Sequence, residues 1–328
     1  MNAPAPQEFL TLQEIVAAAR SDLAPGPWSY LIGGAETETT VRRNRHALDS
    51  IAFRPRVLRD VSRIDTSAKF LNHPVRLPVM LAPIGGLESI VEGGAAAAAR
   101  AAAQFGVPQM LSSVCQPGLE QTAAAADTLR VFQLYVRGDD AWVDDFARRA
   151  KDNGFRAFCL TVDVAVYSRR ERDLMGRFAK PWRAKAAEGA PFQAALSWDK
   201  VKRFKDKHDL PLIIKGIATV EDAELAVQHG VEVVYVSNHG GRGRARPGAH
   251  ARAPRGGDPH LPRPARRDLL RRAHAGAPRA GARGDHARYL QRVPAPVATC
   301  AGASAPTRCT WPPWRGGPCS SAGTRRRP

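Results

Sequence analysis

The 328-residue chain has no apolar run of 18 residues, so no segment reads as a membrane-spanning helix. Its N-terminus lacks the basic–apolar–small pattern of a secretory leader. Cysteine is sparse: Cys115, Cys159, Cys300, Cys309 and Cys319. None forms a Cys-x-x-Cys pair, and the last three are separated by eight and nine residues, so neither a zinc site nor any other metal is expected. Cys159 sits in an apolar run and reads as a core residue. These absences point to a reducing, cytoplasmic location, with peripheral membrane association as the alternative. A Gly-x-Gly-x-x-Gly opening a helix after a strand is also missing, which argues against a doubly wound dinucleotide fold.

What is present is unevenly distributed. The formal charge is +18, which suggests a nucleic-acid or membrane-surface partner. However, residues 243–328 hold 18 Arg and three Asp, with no Lys or Glu, and so carry +15 of that charge; residues 1–242 carry only +3. The same tail holds 13 of the 26 Pro and no Ile, Phe, Met or Asn. So few large apolar groups cannot offset the entropy of ordering, and a disordered tail is expected. The body is an ordinary, nearly balanced domain.

In the body, residues 9–20 read as a helix with a Thr11–Glu14 capping box and a buried stripe of Leu12, Ile15, Val16 and Ala19. Residues 26–40 read as a loop. Short apolar strands then alternate with helices: 78–82, 108–112, 131–136, 157–163, 211–215 and 231–237, with helices over 92–105, 140–152 and 219–229. This is the pattern of parallel βαβ units. Residues 166–207, rich in Arg, Lys, Trp and Phe, read as an insertion that folds over a site as a lid. Polar residues gather where the strands end: Ser112, Gln133, Tyr135, Thr161, Asp163, Lys215, Ser237 and His239. In a (β/α)8 barrel those ends form the active site. The fold class is therefore α/β, a TIM barrel, here incomplete with about six βα units and a disordered Arg/Pro-rich tail.

The chemistry follows from residue types. His239 carries an imidazole at a strand end and is a candidate general base, and Asp163 can orient its ring and stabilise the imidazolium. Arg170 and Arg242 can fork onto a carboxylate. Lys215, after an apolar run, needs an electron-rich partner: a substrate imine or an anionic cofactor ring. Tyr30 and Tyr135 can donate to a hydroxyl or carboxylate.

Ten motifs in order then resemble the FMN-dependent 2-hydroxy acid dehydrogenase/oxidase family, which includes glycolate oxidase and the lactate and mandelate dehydrogenases. They are Tyr30–Glu36 (YLIGGAE), Phe53–Arg56 (FRPR), Leu81–Gly85 (LAPIG), Leu111–Ser113 (LSS), Phe132–Tyr135 (FQLY), Leu160–Asp163 (LTVD), Ser168–Glu171 (SRRE), Leu196–Trp198 (LSW), Ile214–Gly216 (IKG) and Ser237–Arg242 (SNHGGR). The resemblance implies an FMN enzyme that oxidises a small (S)-2-hydroxy acid to the 2-oxo acid. Oxygen, a quinone or a cytochrome would be the electron acceptor. No nucleic-acid partner is implied, and a complete fold would form a homo-oligomer. His239 would be the base, backed by Asp163. Tyr30, Tyr135, Arg170 and Arg242 would hold the substrate. Ala82, Pro83, Ile84, Gly85, Ser112, Gln133, Thr161, Lys215 and Ser237 would hold the flavin.

The chain departs from that family in places. Val114 stands where an aromatic often follows the Ser-Ser pair, and Val164 where Thr is usual. After Arg242 the family continues with Leu-Asp, a helix and two more strands bearing an Asp-Gly-Gly-x-Arg motif for the FMN phosphate, which this sequence lacks. Reading Ala245–Arg252 one nucleotide later permits Leu-Asp-Pro-Ala-Pro-Thr-Leu-Glu, which suits the family's continuation. A reading-frame shift near residue 243 is the expectation. It would leave the outer strands unpaired, the FMN phosphate without its anchor, and flavin binding weak. The alternative is a non-catalytic protein whose basic tail binds nucleic acid or anionic lipid.

Overall fold

The computed structural model describes residues 9–180 and 188–243. Three helices come first: α1 (Leu12–Asp22), α2 (Pro25–Ile32) and α3 (Thr39–Asp49). The Thr11 hydroxyl accepts from Glu14 N, as the capping box requires, while the Glu14 carboxylate accepts from Leu10 N. The expected buried stripe on α1 is corrected, because Leu12, Ile15 and Val16 are all exposed. The loop expected over 26–40 is corrected too. Pro25 opens α2 at a position where a missing N–H does no harm, and the Gly/Thr composition that looked loop-like flanks two helices.

A small antiparallel hairpin follows, β1 (Ala68–Phe70) with β2 (His73–Val75). The main sheet is built from β3 (Gln109–Ser112), β4 (Arg130–Leu134), β5 (Ala157–Thr161), β6 (Leu212–Ile217) and β7 (Val233–Val236). These five strands lie in chain order and all pair in parallel. The intervening helices are α4 (Gly94–Phe105), α5 (Leu119–Ala125), α6 (Asp140–Asp152), α7 (Glu171–Met175), α8 (Ala190–Ala194), α9 (Trp198–Lys207) and α10 (Val220–Gln228). Among the described residues no helix is long and apolar enough to cross a membrane.

The strand expected over 78–82 is reduced to one parallel bridge, Leu81 with Gln109. Leu81 N donates to Pro108 O at 2.9 Å and Met110 N to Leu81 O at 3.0 Å. Pro78 and Pro83 bracket the segment and cannot donate to a ladder, so pairing stops there. The expected six strands are therefore five plus a bridged segment. Of residues 166–207, expected to form a lid, Trp198–Lys207 instead forms α9, whose Val201 and Phe204 are buried in the core, and residues 181–187 lie outside the described residues. The tail from residue 244 lies outside the described residues.

The period of two along each strand sorts the side chains into two layers. Leu111, Phe132, Leu134, Phe158, Leu160, Leu212, Ile214 and Val234 face the helices and form the larger apolar cluster. Phe158 stacks on Phe204 at 5.1 Å, and Phe132 on Phe146 at 5.6 Å. Burial of each such ring contributes about 2–3 kcal/mol. Met110, Val131, Ala157, Cys159, Ile213 and Val233 face the other way and pack with Phe70 and Val75 of the hairpin. That second cluster plugs the N-terminal end of the inner face. Farther along the same faces the residues become polar, and the site begins there.

Candidate active site

One layer above the apolar plug lie Ser112, Gln133, Thr161 and Lys215, all buried. In register, Ser112 pairs with Gln133, Thr161 with Lys215, and Lys215 with Tyr235. Two residues further along, Tyr135 and Asp163 leave β4 and β5 on the same faces. Strand alternation alone thus delivers the hydroxyls, amide, ammonium and carboxylate to one end of the sheet.

His239 completes the group. Its Nδ1 lies 2.8 Å from Asp163 Oδ1, and its Nε2 lies 3.2 Å from the Tyr135 hydroxyl. A carboxylate only accepts, so Nδ1 carries the proton and Nε2 offers its lone pair toward Tyr135. Burial, reinforced by the nearby Asp163 charge, pushes the Tyr135 phenol well above its ordinary value, so it stays protonated and donates to Nε2. Lys215 Nζ stands 4.0 Å from Asp163 Oδ2 and 5.7 Å from the centre of the Tyr235 ring.

The backbone geometry here is demanding. His239, Gly240 and Gly241 all have left-handed φ, at +59°, +63° and +75°. Gly241 also accepts from Ala35 N at 2.9 Å, and a Cβ there would meet Val41 N at 2.8 Å. Gly216, at φ +113°, faces Asp163, whose Cβ would stand 2.6 Å from a Cβ at residue 216. Only glycine lets the β6 exit pass so close to that carboxylate.

The C-terminal end of α2 fixes the two arginines. Helix-end carbonyls lack intrahelical donors and carry partial negative charge. Tyr30 O accepts from Arg170 Nη1 at 3.1 Å, and Leu31 O accepts from Arg242 Nη2 at 2.8 Å. Arg170 also lies over the Tyr30 ring, 4.6 Å from its centre, and 3.8 Å from Asp173 Oδ2. Burial pulls the Arg170 guanidinium below its usual value, yet a guanidinium remains charged at any working pH. Burial likewise raises Tyr30, against the pull of Arg170. Its hydroxyl donates to Gly85 O at 3.4 Å, tying α2 to the 82–85 turn.

These groups surround a cavity of about 400 Å³. Tyr30, Tyr135, Arg170, Lys215, Ser237, His239, Arg242 and the 82–85 segment line it, so eleven of the fifteen residues expected from sequence reach one space. The other four stand behind the wall: Asp163 against the far side of His239, and Ser112, Gln133 and Thr161 one layer deeper. Both polar atoms of the Gln133 amide and the Thr161 hydroxyl are buried without a hydrogen-bond partner among the described residues. Orphaned polar groups of this kind are costly unless a polar ligand edge meets them, and the heteroatoms of a flavin ring fit that need. Sequence reasoning missed Arg137, Tyr167, Lys180 and Tyr235, which also line the cavity. Strand alternation through 231–237 could have found Tyr235. It also missed Gln193, whose buried amide donates to Thr161 O at 2.8 Å and accepts from Val136 N at 2.7 Å. No local pattern marks Gln193.

Fold and site together describe a barrel-type α/β oxidoreductase whose cavity joins a hydrogen-bonded Asp163–His239–Tyr135 chain, two guanidiniums anchored on α2 and a layer of buried, unpartnered polar groups. Comparison with known proteins agrees. Residues 19–249 match the family described as FMN-dependent dehydrogenase. Glycolate oxidase 1 of Oryza sativa subsp. indica is 37% identical over 256 residues, covering 72% of this chain and 69% of that protein. Glycolate oxidase of Spinacia oleracea is 36% identical over 256 residues, with the same coverage of both chains. A crystal structure of mandelate oxidase superposes with a TM-score of 0.67 at 34% identity, covering 72% of this chain and 71% of that one. A mutant of the active chimera of (S)-mandelate dehydrogenase gives a TM-score of 0.66 at 30% identity, covering 70% of this chain and 71% of that one. The chain belongs to the FMN-dependent dehydrogenase family, with the TIM-barrel fold and FMN as its cofactor.

Proposed function

We propose that in this FMN-dependent 2-hydroxy acid oxidoreductase His239 takes the substrate proton while Arg170 and Arg242 hold the substrate carboxylate. The observation that carries this reading is the Asp163–His239–Tyr135 chain opening into the same cavity as two guanidiniums anchored on α2. When bound, FMN supplies the acceptor for the two electrons leaving the substrate carbon. Lys215, with Gln133, Thr161, Ser112 and the 82–85 backbone, would hold its ring. The Lys215 charge favours negative charge growing beside it, and no reorganisation is needed at the moment of reaction. Asp163 stabilises the imidazolium after proton transfer, and the protonated Tyr135 positions the substrate hydroxyl. The α2 carbonyls restrain each guanidinium on one side and leave its other N–H groups for a carboxylate.

The substrate would be an (S)-2-hydroxy acid. A reducing compartment suits Cys115 and Cys159, which are free and buried, with burial pushing their thiols up to about 11 and about 12. The test is anaerobic bleaching of FMN-loaded protein by 2-hydroxy acids, compared with His239→Gln. The variant should retain flavin and bleach about 10²–10⁴-fold more slowly. Bleaching at an unchanged rate would remove His239 from the role of base.

We further propose that the sequence beyond about residue 243 is read out of frame. The support is the intact motif through Arg242 followed by composition with few core-forming residues. Nucleotide sequencing decides it: one uninterrupted family-like frame restored by a single-base correction is expected, and a confirmed single frame through codons 240–260 contradicts it.

A further inference from the structure

The cavity holds more positive charge than one substrate carboxylate requires. Among the described residues, five cationic side chains line it: Arg137, Arg170, Lys180, Lys215 and Arg242. Four have partners. Arg170 and Arg242 bind the α2 carbonyls, Lys180 Nζ lies 3.0 Å from Asp173 Oδ2, and Lys215 has Asp163 at 4.0 Å. Arg137 has no hydrogen bond or ion pair among the described residues, and its Nε is buried without a partner. A partly buried cation without a counter-charge is costly, so this guanidinium is set up for an anion that the described residues do not provide.

Its position is also restrained. Arg137 follows Tyr135 by two residues at the exit of β4, and both reach the same cavity. On its other side the backbone at Gly189 presses on the arginine stem. A Cβ there would stand 2.5 Å from Arg137 Cβ and 2.6 Å from its Cγ. The stem has no room to retreat toward residue 189. The cavity wall also includes Val114 and Val164, whose small apolar groups neither fill the space nor offer a competing acceptor.

We propose that Arg137 is a specificity residue that binds a second carboxylate at the far end of the substrate, making 2-hydroxy dicarboxylates the preferred substrate class. This rests on the 2-hydroxy acid reading above: Arg170 and Arg242 take the carboxylate next to the reacting carbon, and Arg137 takes the distal one. No new chemical step is involved, because the second carboxylate is held and not transformed. A guanidinium–carboxylate contact of this kind is worth roughly tenfold or more in affinity.

The experiment uses the full chain with FMN added and two four-carbon acids, 2-hydroxybutanedioate and 2-hydroxybutanoate, which differ only in the distal carboxylate. Calorimetric Kd values and flavin bleaching rates are measured for wild type, Arg137→Gln and Arg137→Glu. Wild type should bind the diacid about tenfold or more tightly than the monoacid. Arg137→Gln should abolish that preference while leaving monoacid affinity within about twofold, and Arg137→Glu should reverse the preference. Equal affinities in wild type, a preference that survives Arg137→Gln, or binding of neither acid would overturn the proposal. So would a loss of FMN affinity in Arg137→Gln with the acid preference intact, since the guanidinium would then belong to the cofactor. Bleaching by the monoacid without diacid preference removes this inference alone, whereas no bleaching of the protein-bound flavin fraction by any 2-hydroxy acid removes the functional reading beneath it.

Discussion

His239 is held with φ +59°, a backbone conformation that costs a non-glycine residue on the order of 1–3 kcal/mol and persists only where surrounding contacts enforce it. Here the Ser237 hydroxyl accepts from His239 N at 2.9 Å, and Asp163 fixes the ring. Replacing Asp163 by Asn keeps the shape but removes the anionic acceptor, and the amide can donate to Nδ1 and select the wrong tautomer. Asp163→Asn should slow flavin reduction by about 10²–10⁴-fold in single-turnover bleaching, with substrate affinity little changed. A fall of less than tenfold would show that the carboxylate is not needed to orient the base. His239, Asp163 and Arg242 were legible in the sequence because they close strand ends in a recognisable order. Arg137 was not: its meaning depends on the other cations having partners, a fact of three-dimensional pairing.

Among the elements, β6 and its exit are closely constrained. Gly216→Ala would force a Cβ to within 2.6–2.8 Å of the Asp163 side chain and backbone N at a φ that alanine resists. The variant should lose about 1–3 kcal/mol of stability in urea titration and most of its flavin reduction rate, because relief of the clash moves Asp163. Wild-type rates would mean the exit can shift without the site. Between α6 and α9, Asp144 accepts from Arg203, Lys207 and His208 at 2.6–3.0 Å. These partners, Arg203 foremost, hold its carboxyl well below the usual carboxylate range. A depressed folded value contributes stability that is fully present above the unfolded carboxylate pKa of about 4 and is lost as pH falls from there through the folded value. Asp144→Asn should therefore destabilise the protein at pH 7 by about 1–2 kcal/mol, with the difference shrinking below about pH 4. A difference that stays constant with pH would contradict this. The parallel strands were readable from their apolar runs and period of two. The helix α2 was not, since its Pro, Gly and Ser composition is that of a loop, and the contacts of its C-terminal carbonyls with two distant arginines are not local.

At the scale of the molecule, the described sheet has five parallel strands, where the fold of the family closes with eight. The residues proposed to seat the flavin ring are present, but the sequence lacks the Asp-Gly-Gly-x-Arg motif that the family resemblance assigns to the phosphate. We expect the purified chain to bind FMN substoichiometrically, with a restored-frame version binding one FMN per chain; absorbance in the flavin bands against protein concentration measures both. A full flavin complement in the chain as written would refute this. The sequence by itself determined the class of fold and the order of the polar residues along the strands, because those follow from periodicity and residue chemistry, while the reaction class came from the resemblance of its ten motifs to a known family. Only the tertiary structure decided that Tyr135 meets His239, that α2 anchors both Arg170 and Arg242, and that Arg137 faces the cavity without a partner among the described residues. Each of those depends on chain segments far apart in sequence, and no local preference encodes such a distance.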